Sequence, residues 1–147
     1  MVPAARGAGR VLAVSPAAPP PTPTPADEPR RLVIKVTCGV ERAEAANQAF
    51  TIAATAVAAG VEVSVWLAGE ASWFALPGRA DDLALAHAAP LAELLDIVLA
   101  EGALTLCTQC AVRREITETD VLPGVRIAGA ATFTDEALAD GAQALVY

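Results

Sequence analysis

The sequence predicts an α/β fold, a three-layer α/β/α sandwich around a mostly parallel sheet of about five strands. Three observations carry this. Short β-branched or apolar runs alternate with helix-forming stretches from Arg30 to the C-terminus. Glycines close the helix-forming stretches, where a C-terminal stop belongs. The first two strand-like runs are joined by a segment of helix length, which is what parallel pairing with a right-handed crossover requires.

The elements follow in order. Leu32-Val33-Ile34-Lys35-Val36 reads as a buried strand ending at Gly39. Residues 42–59 contain neither Gly nor Pro and are rich in alanine, the best helix former. Ala46, Ala49, Phe50, Ala53, Ala54 and Val57 give that helix one apolar face, and Gly60 ends it. Val61 to Leu67 is a second strand, stopped by Gly69. Residues 68–89 show no strand pattern; Trp73, Phe74 and Leu76 cluster before a Pro77-Gly78 turn, and Asp81 to Ala88 is expected to add one or two helical turns. Pro90 opens an amphipathic helix with Leu91, Leu94, Leu95, Val98 and Leu99 on one face, and Gly102 closes it. Ala103 to Leu106 is a short third strand that delivers the chain to Cys107. A short helix is expected over 109–116, a fourth strand over Val125–Ala128, and a helix from Thr134 to Asp140 with Thr134 and Asp135 as its N-cap. Ala144 to Tyr147 is the fifth strand.

The chain has 147 residues, enough for one domain. Eight of its eleven prolines lie in residues 1–29. Proline fixes φ and removes a donor, so this stretch is expected to be a disordered, partly polyproline-II tail ahead of a folded unit at 30–147. The net charge is −7 and no basic run is present, which argues against nucleic-acid binding. No stretch approaches about 18 consecutive strongly apolar residues, so no membrane span is expected. Val11 to Val14 is too short for a secretory core, which makes the cytoplasm the default location.

Chemistry is expected beyond the carboxyl ends of the strands, where open parallel sheets gather their ligands. Cys38 follows the first strand, and Cys107 with Cys110 follows the third, so all three cysteines lie at one edge. Cys110 falls near the first turn of the next helix, and Arg113 and Arg114 come three and four residues later. A positive environment lowers a thiol pKa from about 8.5 towards 7, which raises the thiolate fraction and with it the reactivity. Equally, both arginines read as solvated helix residues paired with Glu115 or Glu118. Four roles compete for the C-x-x-C element: a zinc site, a thioredoxin-like dithiol, sulfur transfer, and two inert core thiols. Zinc needs four ligands, and beyond Cys38 only His87 is on offer. No phosphate loop, dinucleotide fingerprint or nucleophile elbow is present, so no cofactor is implied. The carboxylate pairs Asp81-Asp82 and Asp135-Glu136 are explained by capping at helix starts. Trp73 and Phe74 read as core, as a lid over the cysteines or as a subunit contact.

Over residues 31–147 the chain resembles the DsrE/DsrF-like small sulfur-relay proteins. The most specific part is the strand-Cys-x-x-x-x-[Leu/Val]-Arg-Arg segment, matched by Cys107, Val112, Arg113 and Arg114. Weaker support comes from Gly60-Val61-Glu62-Val63 and from Leu122 to Phe133. Glu115 stands where the family commonly has glycine. The resemblance implies a five-stranded parallel sheet and a persulfide carried on Cys107, with Cys110 resolving it or serving as an alternate carrier. Arg113 and Arg114 would favour the anion. It implies sulfur donor and acceptor proteins as partners and a homo-oligomer, a trimer or hexamer. Relay is stoichiometric, so whether the protein counts as an enzyme stays open. With the family's strand order the second strand separates Cys38 from Cys107, so Cys38 is expected to line or underlie the pocket without pairing with Cys107. The alternatives are a C-x-x-C dithiol redox switch and a non-catalytic oligomeric binding module.

Overall fold

The computed structural model describes residues 30–147; the proline-rich tail expected at 1–29 lies outside them. Five strands form one sheet in the order β4-β3-β2-β1-β5, every pair parallel. They are β1 (Arg31–Val36), β2 (Glu62–Leu67), β3 (Ala103–Cys107), β4 (Val125–Ala128) and β5 (Ala142–Val146). The helices are α1 (Ala43–Ala58), α2 (Leu91–Glu101), α3 (Thr108–Arg113) and α4 (Ala130–Ala137). From β1 to β4 the chain steps in one direction across the sheet. It then returns over the whole sheet to place β5 outside β1. Right-handed crossovers therefore put α1 and α2 on one face and α4 on the other.

Alternation along the strands fixes which residues meet which layer. Ile34, Val36, Val63, Val65, Leu67, Leu104 and Leu106 point towards α1 and α2 and join the buried core with Phe50, Leu91, Leu95 and Val98. Phe50 meets Phe74 edge to face at 6.3 Å between ring centres. The other face carries Lys35, Ser64, Trp66, Thr105 and Arg126, a more polar set, and among the described residues the eight-residue helix α4 is the one that packs on it. Phe133 of α4 packs edge-on against Trp66 at 5.4 Å.

The helix ends obey local rules. After α1, Gly60 takes φ +74° and its N–H bonds Val57 O, while Val61 N–H bonds Ala56 O. These are the two bonds of a Schellman motif with glycine at C′. The same motif ends α3, where Glu115 N–H bonds Val112 O and Ile116 N–H bonds Ala111 O. Here the left-handed position, φ +56°, is held by Glu115. That turn stops α3 at Arg113, short of the expected 116.

Three other expectations are corrected. Residues 69–75 and 79–82 form 3-10 turns, but the helix expected over Asp81–Ala88 is absent; His87 has φ +59°, which no α-helix accommodates. The Asn47 side chain of α1 donates to Ala89 O at 2.9 Å and holds this irregular stretch in place. Helix α4 starts at Ala130 with Gly129 as N-cap, not at Thr134; the Thr134 hydroxyl instead donates back to Ala130 O inside the helix. Asp135 and Glu136 consequently lie in the last turn of the helix and are not N-terminal caps. Strand β5 starts two residues earlier than expected, at Ala142, in register with Arg31.

Candidate functional site

Cys107 is the last residue of β3 and the N-cap of α3, while Cys110 is the third residue of that helix. Cys107 is half-buried, and Cys110 is buried at 7% exposure. Cys38 lies two residues beyond β1 in the core, 2% exposed, packed beneath the edge and not open to solvent. With β2 between β1 and β3, the strand order expected for the cysteine-bearing edge is the one observed.

Cys110 sits in a cradle made by the loop after β2. The Gly69 N–H donates to its Sγ at 3.3 Å. Ser72 is fully buried, and its hydroxyl completes no hydrogen bond among the described residues, leaving its proton free to turn to the same sulfur. Burial by itself pushes the Cys110 thiol up, but the Gly69 N–H, the Cys107 side chain, the Ser72 hydroxyl and the Arg114 guanidinium together hold it below its ordinary value. The surroundings of Cys110 therefore favour its thiolate. The stabilising groups come from a neighbouring loop and Arg114, since a helix of six residues offers only a small dipole.

The two arginines part company. Arg114 folds back, donating to Cys110 O at 3.4 Å and pairing with Glu70 at 2.6 Å. Its guanidinium lies 5.8 Å from the centre of the Trp73 ring, and Arg79 lies 5.6 Å from the same ring. Trp73 Nε1 donates to Glu70 at 3.3 Å, so Glu70 organises this group. Arg113 is exposed and makes no ion pair or side-chain hydrogen bond among the described residues. Phe74 is core, as expected for one reading of that aromatic pair, and His87 is a surface residue.

Cys107 also borders the α4 layer. A hollow of about 140 Å³ opens beside it, lined by Lys35, Trp66, Ala68, Gln109, Ala130 and Phe133. Sequence reading missed Lys35, which lies inside a run of strand formers, and Glu70 and Ser72, which lie in a patternless loop. The periodic signal of β1 does place Lys35 on the face opposite Ile34 and Val36, and this is the one clue the sequence offered. Larger hollows lie elsewhere. One of about 330 Å³ lies at the amino-terminal end of the strands, but its Arg31–Glu62 and Arg126–Glu136 pairs already satisfy one another. Another, of about 470 Å³, borders Arg42 to Gln48 and holds no nucleophile. Among the described residues no three His, Cys, Asp or Glu side chains converge as a metal-binding group, and no helix is long and apolar enough to cross a membrane.

The fold and the edge define an all-parallel, five-stranded α/β protein with paired thiols beyond its third strand. The chain belongs to the DsrE/DsrF-like family, whose profile matches residues 30–147. Among solved structures it is similar to the YchN protein of E. coli, with a TM-score of 0.67 and 17% identity over 80% of this chain and 99% of that one. That likeness shows the shared fold. No curated protein matches the chain significantly.

Proposed function

We propose that this protein is a sulfur carrier that accepts and passes on persulfide sulfur at Cys107, with Cys110 as its partner. The observation that carries this is the division of labour between the thiols: one accessible beside a cavity, the other buried and stabilised as thiolate. In loading, the Cys107 thiolate attacks the terminal sulfur of a donor persulfide; the new S–S bond forms on Cys107 and the donor leaves as a thiolate. In discharge an acceptor thiolate attacks that terminal sulfur and Cys107 is regenerated. Cys110 offers a second exit. Its thiolate attacks the inner sulfur of the Cys107 persulfide, which forms the Cys107–Cys110 disulfide and expels hydrosulfide. Arg114 supports the Cys110 anion; Arg113 is free to meet a donor or acceptor protein. No cofactor takes part.

Relay of this kind belongs in the cytoplasm and works between proteins, in a homo-oligomer. Val112, Leu138 and Val146 support self-association: they are 71%, 78% and 67% exposed, and Val146 lies on the edge strand β5.

Intact mass after incubation with a persulfide donor tests the assignment. Wild type should gain one sulfur atom and Cys107→Ser none; equal gain in both proteins would remove Cys107 from the role. A dithiol switch is the second reading, favoured by the reach of the Cys107 side chain to Cys110. It predicts loss of two hydrogens on mild oxidation without sulfur gain, reversed by dithiothreitol at a potential of about −200 to −300 mV.

A further inference from the structure

We propose that the cavity beside Cys107 is a recognition site for a compact anionic sulfur donor, with Lys35 as its anchor; this rests on the sulfur-carrier reading and names the donor class. Lys35 lies on β1, a central strand, and among the described residues its ammonium makes no ion pair. The ammonium lies over the Phe133 ring, 4.9 Å from its centroid. Lys35, Phe133 and Cys107 line the same hollow. A cation left without a carboxylate beside a thiol, between the aromatic walls of Trp66 and Phe133, selects for negative charge. Its pull is stronger there than in open water because apolar walls lower the local dielectric.

Size narrows the class further. The hollow, about 140 Å³, is small by the standard of ligand pockets, so the group that enters is compact. A small anion with a sulfane sulfur meets that requirement, and thiosulfate is the simplest probe. The Cys107 thiolate would attack its outer sulfur, forming the Cys107 persulfide anion while sulfite leaves with the electron pair of the broken S–S bond. Charge and atoms balance with no further reactant. Arg113 and Arg114 cannot substitute for Lys35, since neither lines the cavity and Arg114 is committed to Glu70.

The test compares alkylation of Cys107 by iodoacetate and by iodoacetamide on the full chain, read by peptide mass mapping. The two reagents differ in charge and share their chemistry. Relative to the unfolded chain, wild type should favour iodoacetate; Lys35→Gln should lower that preference about fivefold or more, and Lys35→Arg should keep it. Added salt should erode the wild-type preference, a check that needs no variant. An unchanged ratio in Lys35→Gln with a native melting curve, or a salt-independent wild-type ratio, would overturn the proposal. Thiosulfate separates the two readings. Lys35-dependent protection of Cys107 from iodoacetamide, with no sulfur gain from thiosulfate or from a persulfide donor, would uphold the anion site and sink the carrier role. Sulfur gain from a persulfide donor, with no Lys35-dependent protection by thiosulfate, would do the reverse.

Discussion

The Gly69 N–H donates to Cys110 Sγ across 3.3 Å, which ties the loop after β2 to the helix after β3. The bond depends on glycine twice over. Gly69 has φ +51°, and a Cβ there would lie 2.5 Å from the Thr37 carbonyl oxygen, a backbone atom of the turn after β1. Three strand ends thus meet at this point, and the Cys110 cradle is built from their backbones.

Gly69→Ala should cost about 1–3 kcal/mol in denaturant unfolding, since the left-handed conformation and the clash act together. It should also raise the Cys110 thiol pKa. Thiolate absorbance, titrated in a Cys107→Ser background, reads this directly. In the parent the midpoint should lie below that of an ordinary thiol, and Ser72→Ala or Arg114→Met should move it upward. If all three changes leave the midpoint where it was, the cradle does not stabilise the thiolate.

Glu115 offers the opposite case, a left-handed position filled by a residue that dislikes it. At C′ of α3 its φ is +56°, where an L side chain crowds the following carbonyl. Glu115→Gly relieves this at some cost in unfolded-state entropy. The net gain should be about 0.5–1 kcal/mol, measured as a higher denaturant midpoint with unchanged slope. A loss of stability would mean that the Glu115 side chain contributes something the structure does not show.

Glu136 is the acid-sensitive group of the α4 layer. Its carboxylate accepts from Ser64 Oγ at 2.6 Å and Trp66 Nε1 at 2.8 Å, and it pairs with Arg126. Burial raises its pKa, but these three partners outweigh burial and hold it below the ordinary 4.5. A carboxyl depressed in the folded state stabilises fully above its unfolded pKa, and that contribution fades as pH falls through the folded value. Wild type should therefore lose stability from about pH 4.5 downward. Glu136→Gln should be about 1–3 kcal/mol less stable at neutral pH and show a shallower acid limb. Parallel acid limbs in the two proteins would contradict the assignment.

The βαβ unit was legible because its signals agree: β-branched runs, an alanine-rich helix with one apolar face, and glycines at the stops. The C-terminal third was harder to read. Thr134-Asp135 has the chemistry of an N-cap, yet β4 ends at Ala128 and Gly129 caps α4 at once, leaving no room for a separate cap five residues later. Placing Cys107 and Cys110 needed only the strand-to-helix register. Their surroundings needed the tertiary fold. Arg113 and Arg114 are adjacent in sequence, but the early end of α3 turns only Arg114 back towards Glu70. Lys35, 72 residues before Cys107, meets its cavity only because β2 separates β1 from β3 by a single strand.

That same spacing governs Cys38. It lies past the end of β1, whereas Cys107 ends β3, and β2 runs between them in register with both. Two strand spacings of about 4.8 Å put the starting separation near 10 Å, beyond the roughly 7 Å limit for Cα atoms of a disulfide. Cys38 is also sealed in the core, so oxidants and donors reach Cys107 first. Oxidised monomer should yield peptides joining Cys107 to Cys110 and none joining Cys38 to Cys107. Cys38→Ala should leave sulfur loading intact and cost about 1 kcal/mol, the ordinary effect of trimming a small core side chain. A dominant Cys38–Cys107 crosslink would require β2 to leave its place between the two strands, and would overturn the sheet order with it.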